Sequence, residues 1–93
     1  MLIDLEELKS YLRIDGGDED EFLAHLNGAA ESLVRDVARI DDDEMTESEL
    51  SIMRLAVLFA AAYMYEHREE ADYRQLTLSL RAQLFGIRRG EWF

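Results

Sequence analysis

The chain has 93 residues, 48% of them hydrophobic and 33% charged, with no cysteine, no proline and a net charge of −11. That length holds one modest hydrophobic core, so one domain is expected over residues 1–93, and the lack of cysteine excludes disulfides, thiolate metal sites and cysteine nucleophiles. Residues 1 to 49 carry 16 acidic and 4 basic side chains, and residues 50 to 93 carry 5 and 6; an acidity this marked should repel phosphate backbones and anionic lipid, so gripping nucleic acid or a membrane by charge is not expected.

The first ten residues include Asp4, Glu6 and Glu7, which fit neither the basic start nor the apolar stretch of a signal peptide, so no export is expected. Asp4 is instead a helix N-cap with Glu7 in the capping-box position, and Ile3 and Leu8 are spaced as a hydrophobic staple across it. Leu5, Leu8, Tyr11 and Leu12 fall on one face of this first helix, and Gly16 and Gly17 are expected to end it.

The acidic stretch Asp18 to Glu21 suits the start of a second helix, where negative charge meets the positive end of the helix dipole. Phe22, Leu23, Leu26, Ala30, Leu33, Val34 and Val37 follow at helical spacing as far as about Arg39. Asp41, Asp42, Asp43 and Glu44 then form a run that no core could absorb, and a surface loop is expected there.

Thr46 and Glu49 make a second capping box, opening a third helix expected from about Glu47 to Glu69. From Leu55 to Tyr65 this helix is apolar on every side, with Ala60, Ala61 and Ala62 at its middle. That run is only about half of the roughly 20 residues a membrane span requires, so no span is expected. Two helices of so small a chain cannot easily surround it, and oligomerisation is the usual way to cover the remainder. A fourth helix is expected from about Asp72 to Phe85, with Tyr73, Leu76, Leu80 and Leu84 at helical spacing and Gly86 as its C-cap. The predicted fold is all-α: a small bundle of about four helices with one long central apolar helix.

Ingredients for catalysis are thin, because His25 and His67 are the only histidines and neither a glycine-rich phosphate loop nor a serine elbow occurs. His67 and Glu70 are spaced to share a metal, yet a zinc site wants three or four protein ligands. Neither acidic run follows the calcium-loop pattern; counted from Asp18, positions 5 and 6 are Phe22 and Leu23. No enzyme, metal or cofactor is therefore expected. Tyr63, Tyr65 and Tyr73 are better read as packing residues with hydroxyls at a polar rim than as a base-stacking platform, which would need a basic groove.

Nine of the ten basic residues are arginine, whose planar fork favours carboxylates across interfaces. Arg68, Arg74, Arg81, Arg88 and Arg89 lie in the half that is not acidic. One reading is a contact in which the arginine-bearing half of one subunit meets the acidic half of the next, a heterologous contact that closes into a ring or runs on as a filament; the other is that the charges are solvated and the asymmetry accidental. The residues expected at subunit or partner interfaces are Leu58, Ala61, Ala62, Tyr65, Arg68 and Arg81, together with the terminal Arg88, Arg89, Trp92 and Phe93.

The order of these pieces resembles the phage head-tail connector (adaptor) proteins. The resemblance rests on Leu5-Glu6-Glu7-Leu8-Lys9-Ser10-Tyr11-Leu12-Arg13-Ile14-Asp15 followed by Phe22-Leu23 and Ala29-Ala30, on Ala56-Val57-Leu58 leading to Tyr65-Glu66-His67-Arg68-Glu69, and on Leu78 to Leu84 before a terminal arginine. The connections at Asp41 to Glu44 and before the fourth helix are more compact than that family's pattern. The resemblance implies a non-enzymatic ring subunit, twelve to the particle, at the virion head-tail junction and in the host cytoplasm during assembly. It would lie between the portal protein and a head-closure or tail protein, with DNA passing through without specific binding. Asp41, Asp42, Asp43 and Glu44 are candidates to face that channel, where acidity would keep duplex DNA from sticking. The competing readings are a small acidic helical adaptor that binds a bacterial protein through its apolar face, and an acidic mimic of nucleic acid.

Overall fold

Three of the described helices begin where a side chain satisfies a first-turn backbone N–H group. The computed structural model describes residues 2–39, 45–67 and 72–87, and within them the chain forms α1 (Leu5–Leu12), α2 (Asp20–Ala38), α3 (Glu47–Glu66) and α4 (Tyr73–Leu84). No strand occurs among the described residues. Both predicted capping boxes form. The Asp4 carboxylate accepts from Glu7 N–H at 2.8 Å and Glu7 returns the contact to Asp4 N–H at 3.3 Å; Thr46 and Glu49 do the same at 3.2 and 3.1 Å. Asp72 caps α4 through Gln75 N–H at 3.0 Å. Glu19, the residue before α2, provides no side-chain cap, and Asp20 and Glu21 in the first turn supply the favourable charge.

The helix ends differ from expectation. None of the described glycines lies in the left-handed region, and the residues that do are Arg13 (φ 61°) and Arg39 (φ 55°). α1 stops at Leu12 because Arg13 N–H turns back to Ser10 O at 3.2 Å and Ile14 N–H to Lys9 O at 2.9 Å, which swings Ile14 against the core. Beyond α4, Phe85 stays right-handed and Ile87 N–H reaches Leu84 O at 3.0 Å. Burying Ile87, which is 4% exposed, requires the chain to curl inward rather than reverse at Gly86. α3 ends at Glu66, three residues before the expected Glu69, with His67 N–H bonded to Tyr63 O.

α2 and α3 form the centre and run antiparallel: Glu19 at the start of α2 meets Tyr65 near the end of α3, while Glu31 and Arg54 both reach Leu2. α1 packs into one groove of this pair and α4 into the other, and α1 and α4 do not touch. The result is a flattened body of 41 × 28 × 16 Å. Its core joins all four helices through Leu8, Leu23, Val34, Val57, Leu76 and Leu80, among others.

Three aromatic residues expected on inward faces stand largely outside: Tyr11 is 47% exposed, Phe22 39% and Tyr73 55%. On α1, Leu5, Leu8 and Leu12 span about 60° of the helix circumference and Tyr11 lies about 60° beyond Leu8, at the edge of the buried face. Phe22 and Tyr73 sit in the first turns of their helices, where few neighbours overlap; the Phe22 ring tilts against Tyr65 at 6.4 Å between centroids.

The packing of α3 also differs from expectation, because the other three helices of the same chain cover more of it than two could. Met53, Ala56, Val57, Ala60, Ala61 and Met64 are buried, and the alanines among them let the neighbouring helices approach closely. By length and mean hydropathy (20 residues, 1.2) α3 would also suit a bilayer, but this face is spent on the core. What remains uncovered is narrower: Ile52 and Leu55 are exposed, and Leu58, Phe59 and Ala62 half-buried.

Candidate subunit interface

Three polar side chains, Asn27, Glu31 and Arg54, hold the N-terminal segment. Leu2 N–H donates to Glu31 at 2.7 Å, Asn27 Nδ2 donates to Ile3 O at 2.7 Å, and Arg54 donates to Leu2 O at 2.6 Å. Arg54 also pairs with Glu7, and Glu31 with Arg35 at 3.0 Å. Burial raises the Glu31 carboxyl, but the Leu2 N–H and the Arg35 guanidinium outweigh that and hold it below the ordinary carboxylate range. Lys9 donates to Asp20 at 2.7 Å, and that hydrogen bond raises its pKa. Asn27, Glu31 and Arg54 are structural residues that reading the sequence missed. Asn27 interrupts the apolar face of α2 one turn after Leu23, which was the signal available.

Tyr63 and Tyr65 are half-buried packing residues with hydroxyls at a polar rim, whereas Tyr73 stands exposed. Tyr65 donates to Glu19 at 2.9 Å. Tyr63 accepts from Asp72 N–H at 3.3 Å, which ties the end of α3 to the start of α4. His67 stacks on Tyr63 with 4.2 Å between centroids, and its Nδ1 lies 3.0 Å from the Tyr63 carbonyl oxygen. Its proposed metal partner Glu70 lies outside the described residues, among which no cluster of three or more histidine or acidic side chains could hold an ion.

Of the expected interface residues, the fold brings some together and separates others. Leu58 and Ala62 lie half-buried beside α1, whereas Ala61 is wholly buried inside the chain and offers no surface to a neighbour. Tyr65 is half-buried and committed to Glu19. Arg81 is exposed on the outer side of α4. Arg68, Arg88, Arg89, Trp92 and Phe93, and the channel candidates Asp41 to Glu44, lie outside the described residues.

Two of the shallow surface hollows bear on these residues. One, between α1 and α3, is lined by Asp4, Glu6, Glu7, Ser10, Tyr11 and Leu58: an apolar floor with an acidic rim. The other lies along α4 and is lined by Tyr73, Arg74, Thr77, Leu78 and Arg81. Leu78 is 49% exposed between the two arginines, and α4 is the one described helix with no acidic residue. Neither hollow presents a nucleophile and base in contact; both suit contact with another protein surface.

A family model for phage gp6-like head-tail connector proteins matches residues 2–87. No curated protein and no solved structure matches the chain.

Proposed function

The chain belongs to the phage gp6-like head-tail connector protein family, a family of structural proteins of the virion's head-tail junction, and from that premise we propose that it is a non-enzymatic ring subunit joining the portal to a head-closure or tail protein. The observation that carries this reading is the family match over residues 2–87, almost the whole chain. The ring holds twelve copies in the particle, and the subunits assemble in the host cytoplasm before joining the head. Duplex DNA passes through without specific contacts, and an acidic lining at Asp41 to Glu44 favours sliding over sticking.

The contacts between copies and partners draw on Leu58, Ala62, Tyr65, Arg68 and Arg81, with Arg88, Arg89, Trp92 and Phe93 contributing from the C-terminal segment. Support comes from the charge asymmetry along the chain and from the apolar stripe of α3 that its own chain leaves uncovered. The test is the mass of the purified chain by light scattering across a concentration series, alone and with the portal protein from the same genome, with electron micrographs of any large species. Rings of about a dozen copies are expected. A tight two-fold dimer under both conditions would overturn the ring and favour an adaptor that binds a single partner.

A further inference from the structure

The two hollows differ in charge: one is rimmed by carboxylates, the other by arginines. On α4, Arg74, Leu78 and Arg81 follow at i, i+4 and i+7, which places them in one outward row about 10 Å long. On the opposite side of the α2–α3 pair, Tyr11 and Leu58 form an apolar floor beside Glu6 and the Arg54-paired Glu7. Because α1 and α4 occupy different grooves and do not touch, the row cannot reach the floor within one chain. A second copy can bring it there.

We propose that the outer row of α4 in one copy docks into the α1–α3 hollow of the next copy, with Leu78 seated against Tyr11 and Leu58 and the arginines on the acidic rim. This rests on the ring reading above and names the surfaces that close it. The occupant is a second copy of this chain because the chain itself carries both halves of the match: a basic row without an acidic residue, and an acid-rimmed floor. Tyr11 and Leu78 are each about half exposed in the single chain, so both are open to contact. The rim arginines and carboxylates set orientation, since like-charged alternatives are disfavoured. As the surfaces differ, the contact is heterologous and each copy presents one free row and one free floor, as a ring requires.

The chain has no cysteine, so single cysteines report proximity cleanly. Two full-length single-cysteine variants at exposed neighbours of the contact, Ser10→Cys and Ala82→Cys, are mixed with a short bis-maleimide linker, with and without the purified portal protein. Linkage of position 10 to position 82 is expected to exceed 10–10 and 82–82 linkage severalfold. It should fall at least tenfold when Arg74→Glu and Arg81→Glu are added to the Ala82→Cys chain, and recover in part when Glu6→Arg is added to the other. Circular dichroism of each exposed-site variant checks that the helices persist. Rings that form with no 10–82 linkage, or with like-to-like linkage dominant, overturn this pairing and leave the ring reading standing. Absence of both linkage and assembly in every condition overturns the two together.

Discussion

Arg54, Asn27 and Glu31 converge on the backbone of Leu2 and Ile3, so three side chains from two helices hold a segment that has no secondary structure of its own. Asn27 is 2% exposed, and its amide supplies the hydrogen bond to the Ile3 carbonyl. Asn27→Ala should therefore cost about 2 kcal/mol, the typical cost of stranding a buried acceptor, measured by urea unfolding. Glu31 gives a pH dependence of defined sign. Its carboxyl is held below the ordinary carboxylate range in the folded chain, so its contribution is present in full above the unfolded carboxylate range and is lost as pH falls through the folded pKa. The stability difference between the wild type and Glu31→Gln should shrink as unfolding is measured from pH 6 down to pH 3; a difference constant over that range would contradict the clamp.

Among the helices, the starts obey side-chain chemistry and the ends obey packing. Left-handed arginines close α1 and α2, the first although Gly16 and Gly17 follow within four residues, because the half-buried Ile14 side of that turn decides where the chain reverses. A left-handed conformation costs a residue with a Cβ roughly 1 kcal/mol relative to glycine. Arg39→Gly should thus raise the urea midpoint, by about 1 kcal/mol in stability, with no change in helix content by circular dichroism. The alanine positions of α3 show the converse constraint. Ala60 is fully buried where neighbouring helices pack, and Ala60→Leu should destabilise the chain by about 1–3 kcal/mol through overpacking, read from the same unfolding curves.

For the whole molecule, the grooves filled by α1 and α4 place unlike surfaces on separate sides, and the assembly proposed above uses that polarity. Exposed ion pairs contribute only about 0.2–1 kcal/mol each, whereas burying a leucine contributes about 1.5–3 kcal/mol, so charge should steer the contact and Leu78 should hold it. Raising salt from about 0.1 to 1 M shortens the screening length from about 10 to 3 Å. Assembly followed by light scattering should weaken over that range but persist, while Leu78→Ala should weaken it at both salt levels.

Local chemistry is legible in the sequence wherever a few adjacent residues suffice: Asp4 with Glu7 and Thr46 with Glu49 mark helix starts, and the spacing of Leu76, Leu80 and Leu84 marks the buried side of α4. The all-α class and the connector family follow from such pieces taken in order. Only the tertiary structure decided that Tyr11 and Tyr73 stand outside, that Ala61 belongs to the core, that Arg13 and not Gly16 turns the chain, and that Asn27, Glu31 and Arg54 meet at Leu2 and Ile3. Each of these depends on which residues distant in sequence become neighbours. A helical repeat identifies an apolar face, but how much of that face is covered depends on the helices that arrive beside it.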